Sequence, residues 1–283
     1  GALNTWSSVA TVGLAAVFLA CVGCSGSGCG HVTDPRSVVL PYEWEGDILQ
    51  EHLTEPSGLT FHPGRGTLFL VGDEGDIAEL DTDGKVLRRA SLRAGADLEG
   101  ITCVPGSGLL YAVIEGEEKI LEVNPETLSV TREFALPRSV GETELFKPGG
   151  NGVEAICFVP DSGTFFVANQ SFTLEPGEEP SVIVQIELPL AAPDADRPVR
   201  ILNWFYPNII DISALWYDAS AGQLLAVSDT NNLLIRFTFR GKPVRTYTIT
   251  GRDQEGLAID PDGMMYIAQD SGGLIKIRPL WPE

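Results

Sequence analysis

Short apolar runs recur along the chain, and five of them share one pattern of apolar and polar positions. The stretches EPSGLTF (Glu55 to Phe61), DLEGITC (Asp97 to Cys103), GVEAICF (Gly152 to Phe158), DISALWY (Asp211 to Tyr217) and DQEGLAI (Asp253 to Ile259) align without gaps. Each is anchored by a small residue, Gly58, Gly100, Ala155, Ala214 or Gly256. The anchors recur at intervals of roughly 40 to 60 residues, the spacing of a repeat architecture. A turn rich in Pro, Gly and Asp follows each one, then a second apolar run: TLFLVGD, LLYAVIE, TFFVANQ, QLLAVSD and MMYIAQ. Third runs such as KILEVN and LLIRFTF alternate apolar and polar residues at period two, as half-buried antiparallel strands do. Fourth runs are legible in KVLRRASL, LSVTREFAL, PVRILNWF and PVRTYTI, whereas the fifth repeat reaches Glu283 without one.

The missing outer strand can come from SVVLPYEW (Ser37 to Trp44), which precedes the first repeat and whose Pro41 suits a sheet edge. Short strands in four-stranded units, with no helical periodicity, predict an all-β protein: a β-propeller of five four-stranded blades closed by an N-terminal strand. Radial repetition of this kind leaves only short edges. Six blades is the alternative, because the long third repeat, Gly152 to Asn208, has room for extra strands. The propeller domain is expected over 37–283, preceded by a separate segment over 1–36.

Composition adds a surface character. The 283 residues include 39 Asp and Glu against 19 Lys and Arg, a net charge of −20. Such a surface repels nucleic acid and anionic membranes and attracts cations. Ser8 to Cys24 is an apolar run too short for a membrane helix, followed by the small polar tract Ser25 to Gly30. It reads as an export signal. CVGCSGSG resembles a bacterial lipoprotein cleavage site with lipidation at Cys24, Cys21 being the weaker candidate. Neither a basic flank nor an initiator Met precedes it, so the expected start lies further upstream. The expectation is an exported protein of the bacterial cell envelope, held to the membrane through an N-terminal lipid anchor; the alternative is an unprocessed apolar tail. Three of the five cysteines fall in this segment. Cys103 and Cys157 occupy adjacent slots of two first strands and are expected as buried small hydrophobes pointing to opposite faces.

The acids carry the candidate chemistry. Three positions before the anchor stand Glu55, Asp97, Asp211 and Asp253, with Gly152 the exception. One position before it stand Glu99, Glu154 and Glu255, with Ser57 and Ser213 in the other two repeats. The second runs end on Asp73, Glu115, Asn169, Asp229 and Gln269, the last followed by Asp270. In an antiparallel sheet the start of the first strand and the end of the second lie on one face, here around one mouth of the central channel. Clustered carboxylates repel unless protonated, solvated or bridged by a cation. Oxygen ligands without histidine or thiol suit a hard divalent cation such as calcium. The alternative is that these are turn residues bonded to backbone amides and facing solvent.

Other chemistries find little support. None of His31, His52 and His62 falls in an acidic slot, and His62, before Pro63, is expected in a solvated turn. There is no G-x-S-x-G, Walker loop or paired C-x-x-C. Trp44, Trp204, Trp216 and Trp281 are expected to pack between blades. The insertion FTLEPGEEP (Phe172 to Pro180) is a loop that can overhang the acidic face or act as a spacer.

The stretches DLEGI, GVEAICF and DQEGLAIDPDGMMYIAQD resemble the SdiA-regulated, YjiK-like family of exported bacterial β-propellers, over about Ser37 to Pro279. The resemblance implies the propeller more firmly than an activity. It also implies an association with calcium, which some members have. Related propellers include NHL-repeat binding proteins and phytase-like esterases. A phosphate-rich substrate would need Lys and Arg among the carboxylates, and only Lys119 lies near them. Three functions follow as expectations. The first is a divalent-cation module serving binding or envelope regulation. The second is a calcium-dependent lactone or ester hydrolase, with Glu99, Glu154 or Glu255 as general base. The third is a metal-independent scaffold for an envelope protein partner.

Overall fold

The computed structural model describes residues 36–149, 151–175, 177–191 and 197–282. The apolar run from Ser8 to Cys24, with the lipidation candidates Cys21 and Cys24, lies outside them, and the described residues contain strands and turns but no helix. Two strands precede the repeats, β1 (Val38–Val39) and β2 (Tyr42–Asp47). The first repeat forms β3 (Pro56–His62), β4 (Thr67–Gly72), β5 (Asp76–Leu80) and β6 (Val86–Ser91). The second forms β7 (Leu98–Cys103), β8 (Leu110–Ile114), β9 (Lys119–Asn124) and β10 (Ser129–Ala135). A small ribbon, β11 (Ser139–Val140) and β12 (Thr143–Glu144), leads to the third repeat. That repeat holds β13 (Val153–Val159), β14 (Thr164–Asn169), β15 (Ile183–Glu187) and β16 (Arg200–Phe205). The fourth has β17 (Ile212–Asp218), β18 (Gln223–Ser228), β19 (Leu233–Phe237) and β20 (Pro243–Thr248). The fifth has β21 (Gln254–Ile259), β22 (Met265–Gln269) and β23 (Gly273–Pro279).

These are the blades of a five-bladed propeller. The first strands adjoin one another in ring order, β3, β7, β13, β17, β21 and back to β3. The sixth-blade alternative falls, because the extra length around the third repeat goes into the β11–β12 ribbon and the long connections flanking β15.

Inner and middle strands are buried nearly throughout, since each blade is covered on both faces by a neighbour; the outer strands β6 and β10 alternate. The core is accordingly divided into five inter-blade layers. Phe69 and Val71 meet Ile101 and Ala112 between the first two blades. Tyr111 and Val113 meet Phe165 and Val167 in the next layer, and Phe166 and Ala168 meet Leu215 and Leu224 in the third. Leu225 and Val227 meet Leu257 and Ile267, and Tyr266 and Ala268 meet Leu68 and Leu70, closing the ring. Cys103 joins the first of these layers and Cys157 the third, so the two thiols do face opposite ways, both buried.

The anchors are small because successive inner strands nearly touch there. A Cβ on Gly58 would stand 2.1 Å from the carbonyl oxygen of Glu99, one on Gly100 2.8 Å from that of Glu154, and one on Gly256 2.8 Å from Leu59 Cβ. Overpacking against backbone is costly, about 1–3 kcal/mol or more. The five anchors enclose a void of about 10 Å³, room for about one water. The channel is therefore pinched shut at its waist.

Closure is shared between two blades. The segment read as one strand breaks at Leu40–Pro41: β1 pairs parallel with β20 (Val38 with Tyr247), and β2 pairs antiparallel with β23 (Trp44 with Ile277). Leu40, buried in the layer between the fourth and fifth blades, carries the chain from one sheet edge to the next. β2 is the fourth strand of the fifth blade, as expected, but it runs on to Asp47. Two side chains differ from expectation. Trp44 lies on this outer strand, 53% exposed, rather than between blades. His62 is buried against Phe69, with Nε2 2.9 Å from the Gly108 carbonyl.

Candidate metal centre

In every blade the pairing of first and second strands slips just before the anchor. Pro56 faces Gly72 but Gly58 faces Val71; the same slip separates Leu98 from Ile101, Val153 from Ala155, Ile212 from Ala214 and Gln254 from Gly256. The bulge holds Ser57, Glu99, Glu154, Ser213 and Glu255, the slot directly before the anchor. A bulged residue is left out of the ladder and its side chain is re-aimed. The acidic slot is thus a structural device repeated five times.

The residues three before the anchor shape the rim. Glu55, Asp211 and Asp253 adopt positive φ, of 43°, 57° and 50°. Asp tolerates that region better than Glu does. The carbonyls of Asp97, Gly152, Asp211 and Asp253 accept the N–H of Glu115, Gln170, Asp229 and Asp270, at 2.9, 2.9, 3.1 and 2.9 Å. This register corrects the sequence alignment by one residue in two blades. The rim slot of the third blade is Gln170, and that of the fifth is Asp270. Asn169 lies within the sheet, 0% exposed; its Nδ2 donates to the Pro180 carbonyl at 3.2 Å and its Oδ1 accepts from Val182 N–H at 2.8 Å. It therefore braces the connection to β15, and is no rim ligand.

The exception at Gly152 has a steric cause. Glu115, from the preceding blade, crosses it: Glu115 Oε1 accepts the Gly152 N–H at 3.2 Å, and a Cβ there would sit 1.9 Å from Glu115 Cγ. One acid fills the place of another.

Three groups of acids among the described residues bring carboxylate oxygens within 4.8 Å of one another: Glu55, Asp73 and Asp270; Asp73, Asp97 and Glu99; and Glu99, Glu115 and Glu154. Asp73 and Glu99 link them into one arc across the fifth, first, second and third blades. The other nominated acids stand outside that arc. Asp211 is buried, its Oδ2 accepting Thr230 N–H at 2.9 Å and its Oδ1 the Gln170 amide at 3.3 Å. Asp229 Oδ1 accepts Gln254 N–H at 2.7 Å, and Asp253 is exposed. Asp211 and Asp229 thereby fix rim loops. Asp73 accepts a hydrogen bond from Ser57 Oγ. In the insertion before β15, Glu179 accepts N–H groups of Lys147 and Asn151, both at 3.1 Å, beside the start of the third blade. Glu179 is a structural residue that the repeats, lacking an equivalent, did not reveal.

The electrostatics are those of crowded, buried acids. Glu99 and Glu154 are 8% and 4% exposed. Burial first, then the charges of Asp73, Asp97 and Glu255, pushes the Glu99 carboxyl up to about 10. Burial, then Glu99, Glu115 and Glu255, raises Glu154 well above the usual carboxylate range. Glu255 is pushed up to about 9 by burial and by Asp229, Asp211, Asp270 and Asp73. Burial also leads the upward shifts of Asp73, Asp97, Asp229 and Asp270. The leading influences on the three bulge glutamates are all unfavourable to ionisation, and no cation is among them. The donor set is carboxylate oxygen throughout the arc, which fits a hard cation and offers a soft metal nothing.

Fold and site together define a five-bladed β-propeller with a carboxylate-lined mouth. The chain belongs to the SdiA-regulated family, whose model matches residues 41–272. In fold it is similar to the glutaminyl cyclase of Myxococcus xanthus, with a TM-score of 0.61 at 14% identity over 86% of this chain and 98% of that one. A hydrazine synthase from Kuenenia stuttgartiensis aligns with a TM-score of 0.46 at 16% identity, over 78% of this chain and 58% of the other. At 14% identity the likeness to the cyclase is one of fold.

Proposed function

We propose that the acidic mouth binds a divalent cation, calcium by its ligand chemistry, and that the propeller serves as a cation-dependent binding or regulatory module of the bacterial envelope. One observation carries this reading: two carboxylates more than nine-tenths buried, Glu99 and Glu154, share a cluster with Glu115 and have no cationic partner among their leading influences. Buried carboxylates without a counter-charge are costly, and a hard cation removes that cost. Glu99, Glu115 and Glu154 would form the principal site, with Asp73 and Asp97 as its extension. The ion would supply charge neutralisation and, to a bound ligand, a Lewis-acid contact.

Isothermal titration of chelator-stripped protein with calcium tests it. Saturable binding of about one ion, with a rise in melting temperature, is the expected result. No heat and no shift up to about 1 mM calcium, the weak end for extracellular calcium sites, would sink it. A calcium-dependent lactone or ester hydrolase is a second reading, favoured by Glu255, which stands outside the three clusters and whose carboxyl is pushed up to about 9 by burial and neighbouring acids, suiting it to donate a proton as general acid rather than take one as base. Turnover in the same samples that vanishes with chelator would move the assignment to that class. Export and tethering rest on the sequence CVGCSGSG. Fatty-acid labelling in cells should be lost in Cys24→Ser, and labelling that persists would rule out this anchor.

A further inference from the structure

The other end of the channel is built differently. The inner strands end there three or four positions past their anchors, on the face away from the acids. Those ends surround a concave cavity of about 760 Å³, within the range of small-molecule sites. Phe61, Phe158, Trp216, Tyr217 and Ile259 supply its walls, and Trp281 closes one side against Tyr247, ring centroids 5.4 Å apart. The pinched waist separates it from the acidic mouth.

Its polar groups are largely engaged already. Asp218 Oδ2 accepts from Arg236 Nη1 at 2.6 Å, and its Oδ1 accepts the Ser220 N–H and hydroxyl at 3.0 and 2.6 Å. Asp260 accepts two backbone N–H groups, from Asp262 and Met264, and the Tyr266 hydroxyl. Tyr217 donates to Asp161 at 2.8 Å, and Thr102 Oγ1 accepts the Phe158 N–H at 3.1 Å. Arg236 neutralises Asp218, and both oxygens of Asp260 already accept hydrogen bonds. Arg236, its guanidinium 4.3 Å from the Trp281 ring centroid, gives Asp218 only one of its N–H groups and has donors left.

We propose that this cavity is a binding site for an uncharged, largely apolar small molecule whose hydrogen-bond acceptor, such as a carbonyl oxygen, meets Arg236. The apolar walls supply affinity, the guanidinium supplies orientation, and the site works independently of the acidic mouth.

Prodan, a neutral naphthalene ketone whose emission moves to the blue in apolar surroundings, is a suitable probe. Titration into the intact protein should give one saturable, blue-shifted population. Phe61→Asp, which sets a carboxylate in the wall, should weaken it by about tenfold or more. Ala219→Trp alters an exposed residue of the β17–β18 turn at the cavity's edge, outside the strands themselves, so it tests the same point in a protein expected to fold. It should weaken binding by a similar factor, while Glu99→Gln should leave it unchanged. Absence of a saturable blue-shifted signal, or unchanged affinity in folded Ala219→Trp, would overturn the proposal.

Discussion

In chelator, the melting temperature falls as pH rises from about 5 to about 8, and saturating calcium removes most of that fall. The folded carboxyls of Glu99 and Glu255 titrate at about 10 and about 9, against an ordinary 4.5, with Glu154 raised as well. Below about pH 4.5 both folded and unfolded chains hold these protons, and their contribution to stability is fully present. Above it the unfolded chain releases them while the folded chain retains them. Stability then declines by about 1.4 kcal/mol per pH unit for each retained proton, until pH passes the folded values. Calcium reverses the sense, because ligands must ionise to hold it, so its affinity and its stabilisation grow with pH. Other acids do not confuse the window. Glu79, Glu122 and Asp218 are shifted downward, since arginine and hydroxyl hydrogen bonds outweigh the opposing effect of burial. Their stabilisation is lost only as pH falls below the ordinary carboxylate range. A melting temperature that is flat, or that rises between pH 5 and 8 in chelator, would show that the mouth carries no retained protons.

The repeat was legible because one steric event recurs. Wherever an inner strand approaches its neighbour, only Gly or Ala fits, and the five anchors favoured five blades while the long third repeat left six open. Closure was legible in kind but not in detail. An apolar run with a proline in it marks an outer strand, yet nothing local says that Leu40 is buried between blades while Val39 and Tyr42 stay exposed.

The site was less legible. An aligned acid before a glycine shows position, but the bulge that aims Glu99 and Glu154 is visible only in the strand register. Asn169 and Gln269 are the last residues of β14 and β22, and the rim slot is the residue after the strand, so they stood one position short of Gln170 and Asp270. The gap at Gly152 could not be understood from its own repeat, since its cause is the side chain of Glu115, 37 residues earlier. The far cavity left no motif, because its walls are ordinary strand-end aromatics that only the ring brings together.

Replacing Glu99 and Glu154 together by Gln should move cation affinity and metal-free stability in opposite directions. Calcium affinity should fall by about 100-fold or more, because ligand charge is what tunes such sites over that range. In chelator at about pH 7.5 the variant should melt higher than the parent, since two buried groups no longer strain against ionisation. A purely structural role for the two carboxylates makes the opposite forecast for stability, as amides cannot replace every acceptor and the variant would melt lower. Asp253→Asn is the control: exposed and outside the acid clusters, it should change affinity by about threefold at most, the scale of a screened surface charge. Retained calcium affinity in the double variant would place the ion elsewhere on the rim. Lost affinity with lowered stability would make the two glutamates fixtures of the bulges, with calcium a consequence of their packing. Only lost affinity with raised metal-free stability identifies a mouth whose buried charge is held in place for the cation.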